Sequence, residues 1–135
     1  MYTDSLGFKQ NNVGNLRGAG VAWQGKTGMN RGFAVFADRL HGIRAIYVDL
    51  QNKFSAKTNT IEKILNKYAP PAENDTLSYI SFVEKHTGFN RSTILEGNFA
   101  TLRKLVKAIC LKETGYPLSD NEANEAEKLI FEKKK

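Results

Sequence analysis

Seven glycines, Gly7, Gly14, Gly18, Gly20, Gly25, Gly28 and Gly32, fall within 26 residues of the chain, with Asn11, Asn12 and Asn15 among them. A long helix is excluded there, because each interior glycine costs roughly 1 kcal/mol relative to alanine and asparagine side chains compete for the backbone. The first third is therefore expected to form loops and a short irregular hairpin. Phe33 and Phe36, with Ala34 and Val35 between them, mark the exit from the loops and are expected to anchor this lobe to a core built elsewhere.

That core is helical. Ile43, Ile46, Tyr47, Leu50 and Phe54 follow the i, i+3, i+4, i+7, i+11 series and predict a helix over 39–54. Asn59 and Glu62 have the spacing of a capping pair, and the stripe Ile61, Ile64, Leu65, Tyr68 ends before Pro70 and Pro71, giving a helix over 60–68. Asn74 or Asp75 can cap a third helix that carries Leu77, Tyr79, Ile80 and Val83 inward and stops at Gly88. A fourth helix is expected over 98–114. Ser119 with Glu122 reads as a capping box opening a short amphipathic helix that buries Ala123, Ala126, Leu129 and Ile130. The expected fold is mainly α: one compact helical domain over 1–130 with a Gly/Asn-rich N-terminal loop lobe, then a basic, flexible tail over 131–135.

One position breaks the fourth helix's own pattern. Leu102, Leu105, Val106 and Ile109 share a face, and the next position on that stripe is Glu113, in the last turn before Gly115. A carboxylate there loses hydration and meets the negative end of the helix dipole, and both effects raise its pKa. A glutamic acid that still holds its proton near neutral pH suits glycosidic bond cleavage, where the leaving oxygen must be protonated as the bond breaks. The plainer alternative is a helix that ends early and leaves Glu113 in water.

Two loop segments could complete such a site. In Y68-A-P-P-A-E-N-D-T-L-S-Y79 two prolines fix the chain path, and Glu73, Asn74, Asp75 and Thr76 present hydrogen-bonding groups at a helix N-terminus, with Tyr79 one turn inside; a well-capped turn would look the same. The run N11-N-V-G-N-L-R17 with W23-Q-G25 places Asn11, Asn12, Asn15, Arg17, Trp23 and Gln24 on loops. Sugars are bound by aromatic faces and planar amides, although Trp23 could equally plug the small lobe.

Other classes find less support. Net charge is +6, but Lys133, Lys134 and Lys135 carry three of those charges, and neither an RNA-binding signature nor a zinc finger accompanies them, so no nucleic-acid partner is expected. A mildly basic surface suits an anionic polymer such as a bacterial cell wall. No apolar run approaches the roughly 18 residues of a membrane span, and the N-terminus lacks the basic-then-apolar pattern of a secretory signal. Cys110 is the single cysteine, which excludes an internal disulfide, and it reads as buried filler. His41 and His86 lack partners at ligand spacing, so neither a metal nor a cofactor is expected.

At these same residues the chain resembles a family of small phage and prophage proteins usually labelled virion structural proteins. The resemblance spans about residues 10–116 through N11-N-V-G-N-L-R, W-Q-G, G32-F-A-V-F, H41-G-I-R-A, T60-I-E-K-I-L, Y68-A-P-P-A-E-N-D-T-L-S-Y and K107-A-I-C-L-K-E-T-G; Val13 stands where the usual proline follows the paired asparagines. That family is similar in turn to a circularly permuted lytic transglycosylase or goose-type lysozyme. In those enzymes the catalytic glutamate closes a helix in a Glu-Ser-Gly setting, which K112-E-T-G115 resembles, while G42-I-R-A45, Y68-A-P-P and D75-T-L-S-Y-I80 resemble later segments of the same fold.

The resemblance implies a peptidoglycan-degrading enzyme that cuts between MurNAc and GlcNAc, carried in the virion and acting in the periplasm or cell wall after synthesis in the bacterial cytoplasm. Glu113 would be the catalytic acid; Asn11, Asn12, Asn15, Arg17, Trp23, Gln24, Glu73, Asp75, Thr76 and Tyr79 would bind the glycan. If hydrolysis occurs, Glu73 or Asp75 would orient the water. Expected partners are peptidoglycan glycan strands and other virion proteins. The competing expectation is a non-catalytic virion structural protein, or a glycan-binding module, with the same fold.

Overall fold

A computed structural model describes residues 1–18 and 20–134, with side chains through residue 131. A 3-10 turn at Tyr2–Asp4 leads into a short helix, α1 (Leu6–Lys9), which the sequence reading left as loop. The strands β1 (Lys26–Asn30) and β2 (Phe33–Phe36) form an antiparallel hairpin, followed by α2 (Arg39–Ser55), α3 (Ile61–Tyr68), α4 (Thr76–Thr87), α5 (Phe99–Glu113) and α6 (Asp120–Lys134). The architecture is mainly helical with one small sheet, as the periodicity indicates. No helix among the described residues is long and apolar enough to cross a membrane.

The hairpin turns on Arg31 and Gly32, with φ of 55° and 84°. Two successive left-handed residues match the twist of the flanking strands. In β2, Ala34 and Phe36 point to the core while Phe33 and Val35 are only partly covered. Phe33 therefore does not anchor the lobe. Side chains three apart on a strand face opposite ways, and the Arg17 guanidinium covers the Phe33 ring instead, 4.6 Å from its centroid.

The core sits around α2 and α5. Ile43, Ile46, Tyr47 and Leu50 of α2 are fully buried, as are Leu102, Leu105, Val106 and Ile109 of α5 or nearly so. Helix α4 packs on α5 and α3, and α6 packs along α2. Most helix ends follow local chemistry: Asp38, Thr60, Asp75 and Asn98 accept hydrogen bonds from the first turns of α2 to α5, and Gly88 ends α4 at φ 79°. Thr60, rather than Asn59, caps α3.

Three outcomes differ from the periodic reading. The buried face of α4 is Thr76, Tyr79, Ile80, Val83 and Thr87, which leaves Leu77 71% exposed; turning Tyr79 inward rotates Leu77 out. Helix α6 is not short, and its buried face includes Glu127, which accepts from the Tyr47 hydroxyl at 2.6 Å and from Arg103 Nη2 at 2.7 Å. The backbone of α6 continues through Lys134, while Lys135 and the side chains of 132–134, on which the expected basic tail rests, lie outside the described residues.

The N-terminal lobe lies directly on α2. A Cβ at Gly42 would stand 1.8 Å from the Asn11 carbonyl oxygen, so only glycine lets the loop backbone touch the helix here. One turn on, Gly14 packs against Ile46. These contacts put the loop run from Asn11 to Arg17 beside the C-terminal end of α5.

Candidate active site

Glu113 is the last residue of α5, and its neighbours come from opposite ends of the chain. Gly115, at φ 78°, ends the helix, and the chain stays pinned by Tyr116 N–H donating to the Cys110 carbonyl at 3.2 Å. The side-chain amide of Asn15 donates to the Glu113 carbonyl at 3.2 Å and to Glu113 Oε1 at 3.0 Å. Thr114 Oγ1 donates to the Val13 carbonyl at 2.9 Å. The loop and the helix end thus hold each other through polar groups of both segments.

The Glu113 side chain is partly buried and borders two cavities. The first, about 250 Å³, has Asn15, Leu16, Arg17, Val21 and Trp23 on the lobe side and Asp49, Lys53, Lys67, Tyr68, Glu73 and Asn74 across from them. The second, about 270 Å³, is lined by Asn74, Asp75, Ser78, Tyr79, Lys112 and Glu113. Glu113 and Asn74 border both, so the carboxyl-bearing residue lies between the two cavities. Arg17 and Glu73 meet at 3.4 Å between the lobe and the turn before α4.

Burial pushes the Glu113 carboxyl above its usual range, outweighing the Asn15 hydrogen bond, the neighbouring Tyr79 hydroxyl and the Lys112 ammonium, which all favour the charged form. The Tyr79 ring is 3% exposed, and its hydroxyl, without a hydrogen bond of ordinary geometry, is itself held neutral by burial and by Glu113. Lys112 Nζ stands 5.9 Å from the Tyr79 ring centroid. A carboxyl biased toward its protonated form, beside an amide that binds one of its oxygens, has the chemistry of a proton donor.

The proposed binding residues separate into two sets. Asn15, Arg17, Trp23 and Glu73 line the first cavity, and Asp75 and Tyr79 line the second. Asn11, Asn12, Gln24 and Thr76 border neither. Asn12 is fully buried, donating to the carbonyls of Leu16 and Ala34 at 3.0 and 2.9 Å and accepting from Leu16 N–H at 2.9 Å. Asn11 holds a left-handed backbone at φ 58° and donates to the Phe36 carbonyl at 3.3 Å. Thr76 is buried and donates to the Ala69 carbonyl at 2.5 Å, and Gln24 keeps its Oε1 buried without a partner. Asn11, Asn12 and Thr76 are architecture, since their side chains satisfy loop backbone and Asn11 also adopts the left-handed region. Asp75 also serves as the α4 cap, accepting from Ser78 N–H at 3.1 Å.

Asp49, Lys53, Lys67 and Tyr68 line the first cavity without having been expected as site residues. Tyr68 donates its hydroxyl to the Gly14 carbonyl at 2.5 Å, and Lys53 Nζ bonds Asp49 Oδ2 at 2.6 Å. A signal for two of them exists. Gly42, Ile46, Asp49 and Lys53 share one stripe of α2, whose first half packs on the lobe, so its second half must face the space between lobe and helices.

No family model matches the chain. It is 32% identical over 116 residues to Protein P5 of Pseudoalteromonas phage PM2, across 81% of this chain and 71% of that protein. The chain belongs to the Protein P5 family. The match spans most of the domain rather than one motif.

Proposed function

We propose that this member of the Protein P5 family is a virion component that cleaves the glycan strand of peptidoglycan, with Glu113 as its acid. The supporting observation is a glutamate held toward its protonated form at the junction of two cavities, in a Glu-Thr-Gly helix end that resembles the lytic transglycosylase setting. Protonated Glu113 gives its proton to the glycosidic oxygen as the bond to the anomeric carbon breaks. The resulting carboxylate then takes the proton of the MurNAc 6-hydroxyl as that oxygen attacks the anomeric carbon, closing a 1,6-anhydro ring and restoring the acid. Trp23 offers an aromatic wall for a sugar ring, and Asn15 orients the carboxyl. In a hydrolytic variant of the reaction water replaces the 6-hydroxyl, and Asp49 joins Glu73 and Asp75 as a carboxylate able to orient it.

A second reading rests on the bonds from Asn15 to Glu113 and from Thr114 to Val13. On that reading the helix end is a clamp for the lobe of a non-catalytic structural protein. Incubating the protein with purified peptidoglycan and identifying soluble fragments by mass spectrometry separates the two. Anhydro-muropeptides identify a transglycosylase and reducing ends a hydrolase, whereas no release from several wall types favours the clamp.

A further inference from the structure

The first cavity is lined by an uneven set of charges. Arg17 is paired with Glu73 at 3.4 Å, and Lys53 with Asp49 at 2.6 Å. Lys67 also lines this cavity, and it makes no ion pair among the described residues; its Nζ donates to Thr58 Oγ1 at 3.1 Å. The remaining charged group is Glu113, which must hold its proton to act as an acid. In that state the cavity carries one positive charge without a counterpart.

One buried residue ties the end of α2 to the Lys67 ammonium. Thr58, 4% exposed, donates its backbone N–H to the Lys53 carbonyl at 2.8 Å while its hydroxyl accepts from Lys67. Lys57, at φ 62°, turns the chain between them. The end of α2 and the end of α3 therefore present Lys53 and Lys67 to the same space. The Lys53 and Asp49 side chains are only 15% and 20% exposed, so the pair is a fixed wall rather than a mobile surface contact.

We infer that the Lys53 and Lys67 end of the cavity is a subsite for a carboxylate attached to the glycan, supplied by the stem peptide of peptidoglycan; the inference rests on the glycan-cleaving reading of Glu113. N-acetylglucosamine is uncharged, and where a stem peptide is attached the lactyl carboxyl of muramic acid is itself an amide, so the glycan of such a strand gives an ammonium only neutral acceptors. The peptide joined to the muramic acid lactyl group carries carboxylates beside the strand, and one of them supplies the missing negative charge. The subsite distinguishes a stem peptide with free carboxylates from one whose carboxyl groups are amidated.

The full-length Glu113→Gln variant keeps bound glycan uncut, so binding can be read alone. Calorimetric titration at low ionic strength with a soluble disaccharide-tetrapeptide, and with the same compound after its peptide carboxyl groups are converted to methylamides, should show about fivefold tighter binding of the carboxylate form, the scale of one partly exposed ion pair. That ratio should shrink as salt is added. On the same background Lys67→Met should bring the ratio near one, and Lys67→Glu should take it below one. Lys67 is exposed, so neither change threatens the fold. Equal affinities in the Glu113→Gln protein, or a ratio that survives Lys67→Met, overturn the subsite while leaving the glycan reading intact. If neither compound binds and the wild type releases nothing from walls, the glycan reading fails and the subsite with it.

Discussion

Asn15 and Glu113, 98 residues apart, are joined by two hydrogen bonds from one amide group, one to the backbone carbonyl of Glu113 and one to its carboxylate oxygen. The same contact caps a helix, fastens the lobe and fixes the orientation of the candidate acid. Asn15 reaches it from a left-handed backbone at φ 51°. Substitutions here should separate the structural and chemical parts of that role. Asn15→Ala should cost about 2 kcal/mol, roughly 1 from the lost capping bonds and roughly 1 from forcing alanine left-handed. Asn15→Gly should cost about 1 kcal/mol less than alanine. Urea denaturation compares the two, and equal losses would mean the backbone conformation carries no strain.

Glu113→Gln should leave the Asn15 bond to the side-chain oxygen in place and remove the transferable proton. Fragment release from peptidoglycan should fall at least a hundredfold, a barrier increase of about 2.7 kcal/mol, with the fold intact by circular dichroism. Equal release by wild type and variant would show that another group supplies the proton.

The pH dependence of stability carries a defined sign. Glu113 holds its proton more tightly folded than unfolded, so below the unfolded pKa both states are protonated and the site has no penalty. As pH rises from about 4.5 the unfolded state ionises first. Folding then loses stability until the raised folded pKa is passed, and the penalty is constant above it. The Glu113→Gln protein lacks this term. Its stability relative to wild type should therefore increase across that window and then level off, as measured by melts from acidic to neutral pH; a difference independent of pH would show that the carboxyl is not perturbed.

Glu127 behaves oppositely. Burial alone would raise its pKa, but hydrogen bonds from Arg103 and Tyr47 override that and hold it ionised. Glu127→Ala should cost about 3 kcal/mol, since it leaves the Arg103 charge and a buried Tyr47 hydroxyl without their partner. Glu127→Gln should cost less, because it still accepts from one of them. Denaturant midpoints read the order, and a neutral Glu127→Ala would show that the network adds nothing to stability.

Gly42→Ala tests the seat of the lobe. Helix propensity alone favours alanine by about 1 kcal/mol. The new methyl would overlap the Asn11 carbonyl, which is backbone and cannot swing aside. The expected result is a net loss of about 1 to 3 kcal/mol together with weaker fragment release, because the lobe carrying Asn15 and Trp23 must shift. A stabilised, fully active variant would mean that the loop moves freely over α2.

Much of this protein was determined by its sequence alone. The helices over residues 39–113 followed from apolar spacing, Asp75, Asn98 and Gly88 marked helix ends, and the glycine-rich first third could not be helical. Those features depend on residues within one or two turns of each other. Glu113 was also legible, since it interrupts a stripe that its own helix defines.

Tertiary structure decided the rest. Asn11, Asn12 and Asn15 look alike in the sequence, yet only Asn15 faces Glu113, because the path of the loop over Gly42 and Gly14 aims each amide differently. Leu77 turned outward because Tyr79 turned inward toward α5. Asp49 and Lys53 carry no distinguishing mark in the sequence and become cavity residues only where the lobe meets their side of α2, and Lys67 lines the same cavity with its ammonium on Thr58. Local spacing fixes which residues share a face. What that face meets is set by contacts between segments as much as 101 residues apart, where sequence spacing carries no geometric information.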